Sequence, residues 1–193
     1  MFINWHRKEI NFKIVYYGPA MSGKTTNLEK IYGKIDPAHR SDMVSLKTQE
    51  DRTLYFDFLQ LELGKINNFT PFFHLYTVPG HTYYEASRKL VLKGADGVVF
   101  VADSVSDRMN DNQESWESLK SHFKALEMAF DQVPVTIQYN KQDLQNALKP
   151  EVLVRVLGLQ TYPYQEAVAL QGKGVFETLR MVIGSVVKNT IAS

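Results

Sequence analysis

Eight consecutive residues, Gly18-Pro19-Ala20-Met21-Ser22-Gly23-Lys24-Thr25, constrain the fold of this 193-residue chain more than any other stretch. They read G-x-x-x-x-G-K-T, a loop whose backbone N–H groups turn inward around phosphate oxygens. The glycines allow that close wrap. Lys24 can neutralise β- and γ-phosphates, and the Thr25 hydroxyl can bind Mg²⁺. A helix starting here would point its positive dipole end at the anion. The candidate phosphate-site residues are Gly18, Ala20, Met21, Ser22, Gly23, Lys24, Thr25 and Thr26.

Such a loop means something only between a strand and a helix. Upstream, residues 10–17 alternate through Phe12, Ile14 and Tyr16 and are rich in aromatic and β-branched side chains, which predicts a strand. Downstream, Leu28, Ile31 and Tyr32 recur at helical spacing. The required context is present, and the alternative, an ordinary flexible turn, fits it poorly.

The length suits one domain over residues 1–193 with a full core. A formal net charge of +1 gives no sign of a general nucleic-acid or membrane-surface binder. With no cysteine there is no disulfide framework and no thiolate metal site. No apolar run approaches the roughly 20 residues that span a bilayer. The first residues lack an apolar signal core. The C-terminal Thr190-Ile191-Ala192-Ser193 has no prenylatable cysteine, and Phe2 stands where myristoylation needs glycine. The expectation is a cytoplasmic protein, monomeric, with no direct membrane anchor.

Further along, Met43–Leu46 is a short strand candidate. Residues 54–61 and 72–78 predict strands, with a hairpin turn over Gly64–Asn68 making that pair antiparallel. Gly97–Asp103 is continuously apolar up to its last residue, as a strand buried on both faces should be. Trp116, Leu119, Phe123, Leu126 and Phe130 follow a helical stripe and read as core. Val135–Asn140 predicts a strand, Val152, Leu153 and Val156 a short helix, Tyr162–Val168 the last strand, and Phe176, Leu179, Ile183 and Val186 a closing helix. This alternation predicts an α/β fold: a doubly wound, mostly parallel sheet of six or seven strands flanked by helices, with one antiparallel pair.

A second motif names the base. Asn140-Lys141-Gln142-Asp143 is N-K-x-D at the end of a predicted buried strand. A carboxylate at Asp143 can accept from both the ring N1–H and the exocyclic amine of guanine. Adenine lacks that donor pair, so the wrong base leaves polar groups unpaired. Asn140 and Lys141 would hold the loop and flank the ring. The alternative is a polar strand-to-helix turn.

With these motifs the chain resembles the Ras-like small GTPases, and more closely the bacterial MglA group of polarity and gliding-motility GTPases. The likeness covers nearly the whole chain. It rests on Val15–Pro19, Ser22–Leu28, Arg52-Thr53-Leu54, Phe56–Leu59, His74–Gly80, Ala86–Leu90, Phe100–Ser104 and Gly172–Leu179. The resemblance implies GTP or GDP with Mg²⁺ as ligands. It implies that Gly80 meets the γ-phosphate and that residues 79–87 form a switch. Thr53 would bind Mg²⁺ beside Thr25 in the triphosphate state. Arg52 would act in cis as an arginine finger, although by sequence alone it is a charged loop residue. Ala169 would bring a backbone N–H to guanine O6. An MglB-like roadblock protein and polar-localisation or motility proteins would be partners, with recruitment to a cell pole. Tyr83, Tyr84, Phe56 and Phe58 lie on or beside the switch, as interface anchors or as core.

The likeness departs from the pattern at the chemistry. Ras-like proteins carry Asp-x-x-Gly where this chain has Thr77-Val78-Pro79-Gly80, and the MglA group shares the threonine. Ala20 stands where glycine is usual, and a Cβ there can displace a reacting group by about 1 Å, enough to cost roughly a hundredfold in rate. His81 stands where glutamine is usual. A histidine can orient water, with different geometry and protonation, or it can be surface. The catalytic candidates are Arg52, His81 and Lys24. Three functions compete: slow or partner-dependent GTP hydrolysis, a scaffold that binds GTP and recruits partners without turnover, and an ATP-dependent small-molecule kinase. The last conflicts with N-K-x-D.

Overall fold

The computed structural model describes residues 1–46, 56–80 and 84–191. Eight strands form one sheet: β1 Phe2–Asn4, β2 Glu9–Tyr17, β3 Val44–Leu46, β4 Phe56–Glu62, β5 Thr70–Thr77, β6 Gly97–Asp103, β7 Val135–Asn140 and β8 Tyr164–Glu166. Five α-helices are α1 Lys24–Lys34, α2 Glu85–Leu92, α3 Met109–Ala125, α4 Pro150–Leu157 and α5 Val175–Ile191. The strand order is β3-β4-β5-β2-β6-β7-β8, with β1 beside β2. Strands β5, β2, β6, β7 and β8 run parallel; β3–β4, β4–β5 and β1–β2 pair antiparallel. The doubly wound sheet is therefore as expected, and Phe2–Asn4 adds a short eighth strand.

Two apolar layers hold it. Phe12, Ile14, Tyr16, Leu59, Leu61, Leu75, Val99 and Val101 face α1 and α5, whose Leu28, Ile31, Val182 and Val186 are buried against them. Val15, Tyr17, Val98, Phe100 and Ile137 face the other way, toward Leu92, Trp116, Leu119, Phe123 and Leu153. All seven residues of β6 are buried, as its unbroken apolar run predicts.

Some expected boundaries move. The helical stripe ends at Ala125. Phe130 lies in the following turn and packs back on Phe123 and Trp116, with ring centroids 4.9 and 5.7 Å apart. A side chain returning from a turn mimics helical spacing. Helix α2 occupies part of the expected switch segment, because Val91 and Leu92 have an apolar layer to cover. The last strand shrinks to Tyr164–Glu166.

The parallel strands all end at one edge, and β4 begins there. Strand register aligns Tyr16 with Thr77, Tyr17 with Phe100, and Asp103 with Asn140. The loops that follow these residues form the candidate site.

Candidate nucleotide site

The loop after β2 takes the shape its glycines permit. Gly18 has φ +140°, and a Cβ there would lie 2.3 Å from the Val101 carbonyl oxygen. Gly23 has φ +102°, and its Cβ would lie 2.2 Å from Asn140 Nδ2. Met21 also adopts a left-handed conformation and is largely exposed. Lys24 is buried, and its Nζ donates to the carbonyls of Gly18 at 3.0 Å and Pro19 at 2.6 Å. Burial, followed by the nearby Arg88 charge, lowers its pKa to about 7, against the attraction of Asp57. A phosphate here would meet an ammonium held in place and short of counter-charge.

Beside it lies a carboxylate that the motif reading missed. Asp57, at the start of β4, is buried. It accepts from Thr25 Oγ1 at 2.6 Å, Ser45 Oγ at 2.6 Å and Thr77 Oγ1 at 2.9 Å. The signal was present: Asp57 is in phase with Leu59 and Leu61, the buried side of an alternating strand. Ras-like proteins place a carboxylate at the position of Thr77; here a carboxylate faces Thr77 from the neighbouring strand. Among the described residues, no three His, Cys, Asp or Glu side chains converge on a metal. The donor set fits Mg²⁺ all the same. The Thr25 hydroxyl can keep donating to Asp57 while its lone pair faces a hard cation that phosphates complete.

The base side is built from the β7 and β8 loops. Gly23, Thr26, Asn140, Lys141, Asp143 and Ala169, with neighbouring Met21, Leu144 and Leu170, line a cavity of about 240 Å³. Asn140 staples three loops: its Nδ2 donates to the Ser22 carbonyl at 2.7 Å, and its Oδ1 accepts from Ala169 N at 2.8 Å. The N–H that the resemblance assigns to guanine O6 is thus already engaged with Asn140. Lys141, in a left-handed conformation, donates to the buried Asp103 at 2.6 Å. Arg108 joins this group, bonding the Ala20 carbonyl at 2.8 Å with Nε 3.7 Å from Asp103.

Gly80 rests directly on the phosphate loop, and a Cβ on it would lie 2.3 Å from Ala20 Cα. Arg52, Thr53, His81 and Tyr83 lie outside the described residues. Phe56 and Phe58 are half-buried and cluster with Tyr76, at ring separations of 5.8 and 5.0 Å. No helix among the described residues is long and apolar enough to cross a membrane.

An N-K-x-D loop, a G-x-x-x-x-G-K-T loop and a hydroxyl–carboxylate cluster lie together on one edge of a doubly wound sheet, the architecture of a small GTPase fold. The chain belongs to the ADP-ribosylation factor family, whose family model matches residues 1–186. It is 52% identical to the mutual gliding-motility protein MglA of Myxococcus xanthus, over 94% of this chain and 93% of that protein. It is 28% identical to human ADP-ribosylation factor-like protein 4A, over 92% of this chain and 84% of that protein. The chain is thus an MglA-like, Ras-like small GTPase, and that family implies binding of GTP and GDP.

Proposed function

We propose that this chain is a GTP-binding switch serving cell motility or polarity, with Mg²⁺ at the phosphates and slow or partner-dependent hydrolysis. The observation that carries the reading is the arrangement of Lys24, Thr25, Asp57 and Gly80 around one end of the phosphate loop and of Asn140, Lys141 and Asp143 at the other. Similarity to a protein named for gliding motility supports the cellular role.

Lys24 holds the β- and γ-phosphates, and the backbone N–H groups of residues 20–26 surround them. Thr25 and Asp57 would hold Mg²⁺, and Thr53 would be the further ligand in the triphosphate state. When bound there, Mg²⁺ would supply positive charge against the negative charge developing on the phosphate oxygens. Asp143 reads guanine, and Ala169 N–H shares itself between Asn140 and O6. Gly80 is the contact that reports the γ-phosphate. Arg52 stabilises transition-state charge and His81 orients water. An MglB-like roadblock protein is the partner that accelerates turnover or reads the GTP state, and pole-associated proteins provide localisation. A second reading, a scaffold that binds GTP without turnover, is favoured by the Gly80–Ala20 contact, which leaves little room where γ-phosphate and water must meet.

Titration with fluorescent GTP, GDP and ATP tests recognition. Guanine nucleotides should win by at least about a hundredfold, and Asp143→Asn should erase that preference. Equal affinity for ATP would refute the assignment. Single-turnover hydrolysis with and without a roadblock partner then separates switch from scaffold.

A further inference from the structure

Three carbonyls of the phosphate loop are tied by side chains from outside it. Asn27 Nδ2 donates to the Gly23 carbonyl at 2.9 Å, Asn140 Nδ2 to the Ser22 carbonyl at 2.7 Å, and Arg108 Nη2 to the Ala20 carbonyl at 2.8 Å. The third tie comes from a residue that neither nucleotide motif contains. Arg108 closes the 3-10 turn Ser106–Arg108 that leads into α3. Its three guanidinium nitrogens have separate partners. Besides Nη2 on Ala20, Nη1 lies 2.5 Å from Asp111 and Nε 3.7 Å from Asp103.

Asp103 is a fixed anchor. It is fully buried, its backbone N–H donates to Asn112 Oδ1 at 2.9 Å, and its carbonyl accepts from Asn112 Nδ2 at 2.7 Å. A planar guanidinium with Nε against such an anchor presents Nη2 in one direction. Asp111 is half-exposed, and an ion pair there adds little.

What the tie holds is one peptide plane. In a trans peptide the Ala20 C=O and the Met21 N–H point to opposite sides. With the carbonyl drawn to Arg108, the Met21 N–H faces the other way, the way a phosphate-binding loop turns its donors. Met21 itself contributes little to that direction. Its side chain is 81% exposed, and its φ of +62° is a conformation that L residues rarely adopt. A plane turned over would set a carbonyl oxygen against phosphate oxygens. Ala20 lies directly against Gly80, so this plane stands at the end of the loop that the terminal phosphate would reach.

We propose that Arg108 is a positioning residue for the nucleotide: anchored on Asp103, it holds the Ala20 carbonyl outward and thereby aims the Met21 N–H at the terminal phosphates. The assignment rests on the nucleotide reading of the loop.

The test compares binding of GDP and of a non-hydrolysable GTP analogue, read beside ¹⁵N spectra of protein labelled at its six methionines. Met21→Leu identifies the Met21 amide. The variants are Arg108→Ala and Arg108→Lys. Lysine keeps the charge beside Asp103 but has no fork, so it cannot serve carboxylate and carbonyl together. Asp103 retains Lys141 at 2.6 Å in both, and Arg108→Lys carries the test if Arg108→Ala does not fold. Each variant should weaken the analogue about tenfold, the scale of a hydrogen bond lost to a charged group, and GDP by less than about threefold. The Met21 amide of the analogue-bound protein should shift. Native affinity for the analogue in Arg108→Lys overturns the inference, as does an unmoved Met21 amide. Equal weakening of both nucleotides also overturns it, since Arg108 would then be a tie of the fold alone. Failure of the unaltered protein to bind either guanine nucleotide overturns the loop reading instead.

Discussion

Asp57 and Thr77 bond twice across neighbouring antiparallel strands. The Asp57 backbone N–H donates to Thr77 Oγ1 at 2.9 Å, and that hydroxyl donates to Asp57 Oδ2 at 2.9 Å. Thr25 and Ser45 complete the carboxylate's shell. A buried carboxylate thus lies one strand over from position 77, bonded to the threonine there. The hydroxyl at position 77 is one of three donors that satisfy this buried carboxylate.

Thr77→Asp, which restores the Ras-like residue, should consequently be harmful. Two buried carboxylates would face each other, one would stay protonated, and a hydroxyl donor would be lost. The expected cost is about 2–3 kcal/mol of stability, with weaker Mg²⁺-dependent nucleotide retention. Adding Asp57→Thr should recover most of both by exchanging the two roles. Chemical denaturation of the single and double variants checks this. Simple additivity of the two losses would show that the residues do not act as a pair.

Ala20→Gly removes the methyl group from the loop surface against which Gly80 packs. Single-turnover GTP hydrolysis should rise, by about tenfold alone and more with His81→Gln, since displacement by about 1 Å can cost roughly a hundredfold. Nucleotide affinity should change little, because Lys24 and the loop carbonyls are untouched. A rate unchanged in both variants would place the slow step elsewhere.

Lys24 gives the nucleotide-free protein a pH signature. Burial first and Arg88 second bring its pKa to about 7, against 10.5 in the ordinary case. Below about pH 7 the lysine is charged in folded and unfolded chains alike, and folding bears the full penalty of burying the charge. Between about 7 and 10.5 the unfolded chain binds more protons, so stability rises with pH across that window. Bound phosphate restores the charge, so nucleotide binding near pH 8 should take up a proton. Melting temperatures across pH, and binding enthalpies in buffers of different ionisation heat, test the two halves. Lys24→Met should abolish both.

The sheet and both nucleotide motifs were legible because they depend on local signals: alternation, an unbroken apolar run, and glycines at fixed spacing. Asp57 was half legible. Its phase with Leu59 and Leu61 marks a buried carboxylate, yet nothing local says that Thr25, Ser45 and Thr77 will surround it. Arg88 was not legible at all. Its burial is set by the packing of α2 on Tyr17, a contact between residues 71 positions apart. Phe130 misled for the opposite reason, since a turn returned it to the face that a longer helix would have used.

Asn140 carries the last prediction, because it couples the two ends of the site. It is 3% exposed, and its amide donates to the Ser22 carbonyl and accepts from Ala169 N–H. Asn140→Ala leaves both backbone groups unpaired in a buried place, which costs about 2–4 kcal/mol. Asn140→Asp keeps the acceptor but sets a second oxygen against the Ser22 carbonyl. Both variants should speed GDP dissociation by about tenfold or more, since the phosphate loop and the Ala169 loop no longer hold each other. If both variants lost stability yet released GDP at the native rate, the staple would serve the fold alone, and base and phosphate would be gripped independently.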